Sequence, residues 1–304
     1  MAIDLLERVE LTHGYGEDTH YSIISLNITN RCNLSCEHCF FYREGNTNEA
    51  LSPRLEVPDD EMIEMITGLR DRHHPDMALW IGGEPMLRRS LLDKGLPIFD
   101  FNTIATNGTL PLIDFGHRVD YMVSVDGPPA QNDKLRGKGT FDRVMKNLDR
   151  LPDDFGPMIH AQCTVTNVNQ GHLGELIEML RPTRFAWITF SFYVPSGDGD
   201  AGLGWDSLED RMVAVDEVRQ LKAEHPDFVS NEMAALDLMS PENAPGVTAN
   251  CALSSNVLPL FLDGNRFVSG RCPYGENVSC DLCGSNFLFD FALTPFAQRA
   301  EAIT

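Results

Sequence analysis

Short apolar runs alternate with amphipathic segments between residues 21 and 224. The apolar runs are rich in aliphatic and β-branched residues and are too short for buried helices, so they predict buried strands. The segment after Pro58 opens with Asp59, Asp60 and Glu61, and acids in a first turn stabilise a helix. The predicted strands are residues 21–28, 77–81, 102–106, 121–125, 158–165 and 184–193, and the predicted helices begin near residues 58, 140, 172 and 207.

Strands that alternate with helices form a parallel sheet with right-handed crossovers. Six of them predict an α/β fold, a partial (β/α)6 TIM-like barrel. The predicted strands end in glycine or polar residues, as at Asn107-Gly108 and Thr166-Asn167. Because active sites of such sheets lie at the carboxyl ends of the strands, these ends predict the position of the site. Asn107 and Asn167 fit site-lining positions, and they fit ordinary turns equally well.

The flanking segments predict a small C-terminal extension. A helix and a loop occupy the first 20 residues, and a β-hairpin at residues 258–268 turns at Asp263-Gly264. The tail from Phe287 is apolar at first and is expected to pack against the barrel. The predicted domains are the barrel at 1–226, a linker with two prolines at 227–250, and a cysteine-rich extension with its tail at 251–304.

The charge of the chain narrows the classes of partner. There are 24 basic and 45 acidic residues among 304, which gives a net charge of −21. Such a chain repels phosphate backbones and anionic membranes, so general nucleic-acid binding is excluded. A solvated acidic surface and a cationic substrate both remain open. There is no apolar run of membrane-spanning length and the N-terminus is charged, so we expect no membrane span, no signal peptide and a cytoplasmic protein.

Three of the eight cysteines lie close together, directly after the first predicted strand, at Cys32, Cys36 and Cys39. Thiolates are soft ligands that suit iron–sulfur clusters or zinc. Because a [4Fe–4S] cluster normally takes four cysteines, three of them would leave one iron open to another ligand. A zinc knuckle or three unrelated buried thiols are the alternatives, although zinc sites usually add a second pair of ligands and none is near in the sequence.

This loop and a second motif resemble the radical SAM family. Gly82-Gly83-Glu84-Pro85 follows the second predicted strand and resembles the family's GGEP motif, which binds the amino group of the methionine moiety. The resemblance implies a partial barrel in which S-adenosylmethionine (SAM) chelates the open iron and is split to a 5′-deoxyadenosyl radical. Glycines allow close approach of the backbone, and carboxylate and carbonyl oxygens accept hydrogen bonds from an ammonium. An ordinary strand-to-helix turn is the alternative.

The resemblance implies four further contacts to SAM. Ser124 and Asp126 share one face of a strand and match the family's ribose-binding strand end, where a helix cap is the alternative. Arg136 lies in a segment that resembles one in SPASM and twitch members and is the candidate to bind the SAM carboxylate. Phe40 occupies the aromatic position that packs on adenine in the family, and a core phenylalanine fits as well.

Two other features have a structural and a chemical interpretation. Cys163 stands alone in a predicted buried strand, where free cysteine is usually a small hydrophobe. The alternative role is a hydrogen-atom donor, as in radical SAM epimerases. His73-His74, just before Pro75, predicts the exposed C-terminus of a helix.

The four remaining cysteines resemble the start of a twitch or SPASM extension, a hairpin with an auxiliary [4Fe–4S] cluster. The spacing departs from the family pattern, because a cysteine comes eight residues after Gly264 rather than shortly after it. Four cysteines allow one more cluster at most, which favours twitch, and a four-thiolate zinc site is the alternative. These residues are Cys251, Cys272, Cys280 and Cys283.

The leading functional hypothesis is a radical SAM enzyme that abstracts hydrogen from a small molecule in natural-product biosynthesis. In this hypothesis, hydrogen abstraction leads to dehydrogenation, C–C bond formation or epimerisation of the substrate. The bound cofactor carries the difficult chemistry. The expected cofactors are the SAM-bound [4Fe–4S] cluster and a second cluster, and the expected electron donor is a flavodoxin or ferredoxin. A maturase of ribosomal peptides is the alternative substrate class. A non-catalytic iron–sulfur or zinc-binding scaffold is the alternative of another kind.

Overall fold

The strands of the protein lie in one sheet in a computed structural model, which describes residues 5–16, 18–43, 56–116, 118–197 and 202–293. Over these residues the sheet has nine strands. Their bounds are β1 Val9–Glu10, β2 Ile23–Asn27, β3 Met77–Ile81, β4 Asn102–Thr106, β5 Val119–Ser124, β6 Met158–Val165, β7 Ile188–Phe192, β8 Val257–Asp263 and β9 Arg266–Ser269.

The six strands β2 to β7 correspond to the six predicted strands. They are adjacent in chain order and all neighbouring pairs run parallel. Parallel neighbours need crossover connections, and helices supply most of them. This arrangement confirms the α/β fold and the partial (β/α)6 barrel. It also brings the carboxyl ends of all six strands to one edge of the sheet.

The helices cover the outer face of the barrel. The predicted helix after Pro58 is confirmed as α1, with Met62, Ile66 and Leu69 fully buried. In α6, Ser207 is the N-cap and accepts a hydrogen bond from the Asp210 N–H at 3.1 Å. The helix bounds are α1 Asp59–His73, α2 Arg89–Gly95, α3 Pro129–Arg136, α4 Thr140–Asp149, α5 Leu173–Leu180, α6 Leu208–Glu224, α7 Met233–Leu238, α8 Ala244–Ala249, α9 Leu253–Asn256 and α10 Asn286–Leu293.

One helix end differs from the prediction. His73 is the last residue of α1, but its side chain is buried and its Nδ1 lies 2.9 Å from the Thr19 carbonyl oxygen. Burial also lowers the pKa of His73. The expectation of an exposed histidine pair is therefore wrong for His73, because the N-terminal segment covers this end of the helix. His74 follows in the left-handed conformation as the C-cap and is exposed.

The C-terminal hairpin is confirmed and joins the same sheet. β8 pairs with β9 antiparallel and with β2 parallel, so the hairpin extends the barrel edge. The turn differs from the predicted Asp263-Gly264 pair, because Asp263 still pairs with Arg266 as the last residue of β8. The two residues between the strands are Gly264 and Asn265, and Gly264 has the positive φ of +60° that such turns require. β1 then pairs with β9, where the sequence predicted only a helix and a loop before residue 20.

The chain beyond the hairpin returns to the other side of the barrel. The Phe192 N–H of β7 donates to the Gly284 carbonyl at 2.8 Å, and the Asn286 N–H of α10 donates to Ser191 Oγ at 3.1 Å. The tail therefore packs on the barrel up to Leu293, and residues 294–304 lie outside the described residues. The predicted linker 227–250 contains α7 and α8, and the division into domains stays a prediction.

Candidate active site

The loop with Cys32, Cys36 and Cys39 begins where β2 ends and is held by hydrogen bonds from several elements. Asn27 Nδ2 donates to Asn30 Oδ1 at 2.8 Å, and Asn30 Nδ2 donates to the Leu262 carbonyl of β8 at 3.1 Å. The Tyr42 hydroxyl, just after the loop, donates to the Asn30 carbonyl at 2.7 Å. The three thiols are partly buried at the carboxyl end of the sheet. Both ends of the loop are thus fixed to the barrel.

The glycines at the end of β3 let the cysteine loop approach closely. The Gly83 N–H donates to the Thr29 carbonyl at 2.8 Å, and the Glu84 N–H donates to the Arg31 carbonyl at 2.8 Å. A Cβ on Gly83 would lie 2.2 Å from the Arg31 carbonyl oxygen, and a Cβ on Gly82 would lie 2.6 Å from that of Thr29. Contacts below 3.0 Å are essentially excluded, so only glycine fits at these positions.

Glu84 is fully buried and its carboxylate is engaged within the protein. Its Oε1 accepts hydrogen bonds from the Met86 N–H at 3.0 Å and from Thr106 Oγ1 at 2.7 Å, and its Oε2 accepts one from the Asn107 N–H at 2.8 Å. Burial raises its pKa and these bonds oppose the shift. The carboxylate therefore fixes the end of β4 against the end of β3. Its contact with SAM stays a prediction.

Asn107 reaches from the end of β4 to the cysteine loop. Its Nδ2 lies 3.9 Å from Cys32 Sγ and donates to Asn33 Oδ1 at 2.9 Å, and the Leu34 N–H lies 3.4 Å from the same sulfur. N–H groups aimed at a cysteine sulfur stabilise the thiolate and tune a cluster that it binds. The sequence left two roles open for Asn107, a site-lining residue and a turn residue. The structure adds that its side chain contacts Cys32, a candidate cluster ligand.

A buried ion pair joins the same loop to β5 and α3. Asp126 is fully buried, and its Oδ2 contacts both His38 Nε2, at 2.9 Å, and Arg136 Nε. Its Oδ1 accepts a hydrogen bond from the Thr164 N–H of β6 at 2.7 Å. Burial alone would raise the pKa of Asp126, but the charges of Arg136 and His38 outweigh it and hold the pKa well below its usual range.

This ion pair involves two residues with predicted cofactor contacts and one that sequence reasoning missed. Asp126 and Arg136, predicted for the SAM ribose and carboxylate, contact each other. His38 lies between Cys36 and Cys39, and a histidine inside a metal-binding loop was the signal that could have identified it. Ser124, the other predicted ribose contact, is partly exposed at the end of β5. The cofactor contacts of all these residues stay predictions.

The first and last of the four C-terminal cysteines are 32 positions apart, and α8, which ends just before Cys251, packs against the turn that contains Cys280. Burial raises the pKa of Cys272 to about 12 and that of Cys283 to about 11, and the other cysteines of the group add to both shifts. Arg211 of α6 holds the segment by donating to the Cys283 carbonyl at 2.8 Å. Cys251 precedes α9, Cys272 follows β9, and a 3-10 turn over Cys280–Leu282 ends beside Cys283.

An aromatic contact links this segment to the cysteine loop. The rings of Phe40 and Tyr274 meet edge to face with centroids 5.2 Å apart. Phe40 directly follows Cys39, and Tyr274 lies two residues after Cys272. Burial raises the pKa of Tyr274 to about 12, and its hydroxyl donates to Ser285 Oγ at 3.0 Å. The position of Phe40 against adenine stays a prediction.

The two remaining candidates lie in β6 and shortly after it. Cys163 is fully buried in the hydrophobic core, with Asn169 Nδ2 3.8 Å from its sulfur. This environment favours the small-hydrophobe interpretation, and hydrogen donation stays a prediction. Asn167 Nδ2 donates to the Gly202 and Gly204 carbonyls, so it ties the end of β6 to the loop before α6.

The donor set of the cysteine loop fits a [4Fe–4S] cluster. Three thiols, N–H groups near one sulfur, and a strand end that only glycine can form all lie at the carboxyl edge of the sheet. Burial raises the pKa of Cys36 to about 11 against the nearby charge of Arg136, and metal binding would deprotonate the thiol. Among the described residues, no three His, Cys, Asp or Glu side chains converge on one metal ion. In a [4Fe–4S] cluster each thiolate binds a different iron, so its sulfur ligands lie farther apart than the ligands of a single metal ion. Among all the residues that the structure describes, no helix is long and apolar enough to cross a membrane.

Three sequence relatives carry the names of enzymes, and they are about twice as long as the region they share with the chain. Fe-coproporphyrin III synthase of Methanosarcina barkeri is 29% identical over 209 residues, 64% of this chain and 50% of the relative. Pre-heme d1 synthase of Dinoroseobacter shibae is 26% identical over 199 residues, 61% and 46% of the two chains. A probable GTP 3′,8-cyclase of Methanocella arvoryzae is 28% identical over 185 residues, 56% of each. The chain thus spans about half the length of these relatives.

Solved structures share the fold at low sequence identity. Native anSMEcpe with bound AdoMet matches with a TM-score of 0.62 and 15% identity, over 91% of this chain and 82% of that one. Streptococcus suis SuiB bound to the precursor peptide SuiA matches with a TM-score of 0.60 and 16% identity, over 90% and 66%. The model of the Radical SAM superfamily matches residues 26–181, more than half of the chain. The range includes the cysteine loop, the Gly82-Gly83 strand end and the Asp126 ion pair. The protein is an enzyme that belongs to the radical SAM superfamily.

Proposed function

We propose that the protein cleaves SAM reductively at the cysteine loop and abstracts hydrogen from a C–H bond of a small-molecule substrate. The observation that carries the proposal is the convergence of three thiols, the Gly82-Gly83 strand end and the Asp126 ion pair at one edge of the barrel. The bound cluster and SAM supply the electron and the 5′-deoxyadenosyl radical. A small-molecule substrate is supported by the relatives whose names include coproporphyrin and GTP.

The chain's own residues bind and orient SAM in this proposal. Backbone carbonyls at Gly82 and Gly83 accept hydrogen bonds from the ammonium of SAM, and Ser124 contacts the ribose. A guanidinium carries five N–H donors, so Arg136 can hold the SAM carboxylate while it pairs with Asp126. His38 keeps this arginine and the cysteine loop in one position. Substrate and SAM then meet inside the barrel, away from bulk water.

The C-terminal cysteines hold an auxiliary [4Fe–4S] cluster in the proposal, which places the protein in a twitch-like subgroup. The packing of α8, which ends two residues before Cys251, against the 3-10 turn over Cys280–Leu282 supports it, because this packing brings the two ends of the group together. Four thiolates saturate such a cluster, so its role is electron transfer or structure and not substrate ligation. Cleavage of SAM also needs a reductant, and we assign a flavodoxin or ferredoxin of the reducing cytoplasm. The ligands are Cys251, Cys272, Cys280 and Cys283.

The test of the proposed function removes the three loop cysteines together. In anaerobically reconstituted protein with SAM and dithionite, the Cys32→Ala, Cys36→Ala, Cys39→Ala variant should form no 5′-deoxyadenosine, because no thiolate holds the cluster. The wild-type protein should form it in the same assay, and wild type without dithionite is the control for non-enzymatic cleavage. The far-UV circular dichroism of the variant should match wild type. 5′-Deoxyadenosine from the triple variant would overturn the proposal.

A further inference from the structure

The inner face of β5, β6 and β7 carries polar side chains beside the predicted ribose contact. In β6, Ile159, Ala161, Cys163 and Val165 are buried against the helices, whereas the alternate residues are partly exposed. Alternation along a strand puts these partly exposed side chains on the opposite face, which is the barrel interior. Two rows of the interior follow from the strand register: Ser124, Gln162 and Thr189 in one, and Met122, His160 and Trp187 in the other.

Gln162 and Thr189 offer hydrogen-bond acceptors to the interior. Gln162 Oε1 is buried and has no hydrogen-bond partner among the described residues. Thr189 Oγ1 lies 2.5 Å from Ser230 Oγ, and Ser230 Oγ donates to the Ile188 carbonyl at 3.2 Å. Either hydroxyl can donate in the Thr189–Ser230 pair, and in both arrangements the Thr189 oxygen keeps a lone pair for a ligand. A buried acceptor without a partner is unfavourable, and a ligand N–H would supply the missing hydrogen bond.

The neighbouring row offers a flat aromatic surface with one more open polar atom. The rings of His160 and Trp187 stack with centroids 5.0 Å apart and an interplanar angle of 10°. His160 Nδ1 is buried and has no partner in the part of the chain that the structure describes. Burial lowers the pKa of His160 to about 4, so the imidazole is neutral at physiological pH. None of the six interior residues carries a charge under these conditions.

Neither row carries a charged side chain, and two cations at this end of the barrel are bound to carboxylates. Arg136 is bound to Asp126, and Arg31 Nη2 is 2.7 Å from Glu56 Oε2. A phosphate or carboxylate placed against Gln162 Oε1 and Thr189 Oγ1 would bring its oxygens against acceptor oxygens, with no cation from either row to offset the repulsion. An amide does the opposite, since its N–H can donate to these acceptors and its planar face can pack on the ring pair.

We infer that Gln162, Thr189 and the His160–Trp187 pair form a substrate subsite that selects an uncharged secondary amide and disfavours carboxylates and phosphates. This inference rests on the proposed function, because the subsite adjoins the proposed ribose contact Ser124. The amide can come from a peptide backbone or from a small cyclic amide, and both present the same planar N–H group.

The test measures dissociation constants by saturation-transfer NMR on reconstituted protein with bound SAM. The amide probes are N-acetylalanine N-methylamide, for a peptide, and cyclo(Ala-Ala), for a small cyclic amide. N-Acetylalanine carboxylate and GTP are the anionic probes, and the first differs from the linear amide only at the charged end. At least one amide should bind, and both anions should bind more weakly. A preference for the linear or the cyclic probe identifies the source of the amide.

Three variants make the result specific to the subsite. Q162L should weaken binding of the amide by about 3- to 10-fold, the loss expected for one neutral hydrogen bond. H160F keeps a ring against Trp187 and should weaken it to a similar degree if Nδ1 contacts the ligand. Q220L makes the same chemical change on the exposed surface of α6 and should leave binding unchanged. Retained SAM binding and unfolding midpoints verify that each variant is folded.

Several outcomes would overturn the inference. These are no binding of either amide, equal amide binding by Q162L and wild type, or anion binding that is stronger than amide binding and depends on Gln162. Formation of 5′-deoxyadenosine by the same wild-type preparation separates the two proposals. If the wild-type protein cleaves SAM but Q162L binds the amide as tightly as wild type does, only the proposed subsite is refuted. If wild type does not cleave SAM, the proposed function fails.

Discussion

At the scale of single residues, the buried ion pair of Asp126 with Arg136 shows how binding groups are held in place. Taking two charges out of water is costly, and the pair offsets this only with good geometry and further hydrogen bonds. Asp126 meets both conditions through His38 and the Thr164 N–H. Asp126 and Arg136, two of the residues that the sequence assigned to SAM, therefore also hold three chain segments together.

The first prediction at this scale is a loss of stability in Asp126→Asn. The substitution keeps the shape of the side chain but leaves the charge of Arg136 buried without a counter-ion. Breaking such a pair costs about 3–5 kcal/mol, and we expect that decrease in the free energy of unfolding. Urea unfolding of the cluster-free protein measures it.

The control for this variant is Asp149→Asn, which removes a carboxylate from the exposed end of α4. Surface substitutions of this kind stay within about 0.5 kcal/mol. Equal urea midpoints for Asp126→Asn and Asp149→Asn would contradict a stabilising role of the ion pair.

At the scale of elements, the end of β3 and the cysteine loop form one unit. The loop backbone occupies the space that a side chain at Gly83 would need. Gly83→Ala should therefore push the loop away from the strand end and reduce iron incorporation to well below that of wild type. Iron per protein chain after anaerobic reconstitution measures the effect.

A matched glycine substitution controls for the change itself. Gly246 lies in α8 with nothing within 4 Å of a Cβ, so Gly246→Ala should incorporate iron normally and stabilise the helix by about 0.5–1 kcal/mol. Wild-type iron content in Gly83→Ala would show that the loop does not need the close approach.

Elements were predictable from the sequence where a local pattern determines them. The strands at 77–81, 102–106 and 158–165 were predicted with their observed bounds, because polar or glycine residues follow each apolar run. Pairings between distant segments were not predictable. Nothing local to Val9 or Val257 indicates that β1 pairs with β9 or that β8 lies beside β2. For the same reason the contact of His38 with Asp126, across 88 positions, depended on the folded chain.

At the scale of the whole molecule, the contact of Phe40 with Tyr274 links the cysteine loop to the segment that carries the C-terminal cysteines. Replacement of Cys251, Cys272, Cys280 and Cys283 by alanine should lower the iron content from about eight to about four per chain, by the ligand count of two clusters. SAM cleavage should persist, while product formation should be impaired. Metal analysis together with 5′-deoxyadenosine formation measures both effects.

The metal content of the wild-type protein distinguishes the alternatives for the C-terminal site. One zinc with about four irons would make the site structural and would refute the auxiliary cluster. A change in the EPR signal of the second cluster on substrate addition, with altered ligation, would contradict a cluster saturated by four thiolates.

The place of β8 beside β2 has a consequence for synthesis on the ribosome. β2 ends in the cysteine loop, and its second edge is closed only by β8, which begins at Val257. At about 5–20 residues per second, roughly ten to fifty seconds separate the emergence of the two strands. During that interval β2 has an open edge that can pair with another chain. Asn30 also lacks Leu262, the partner that anchors the loop. We therefore expect cluster insertion to follow the synthesis of β8 rather than that of the cysteine loop.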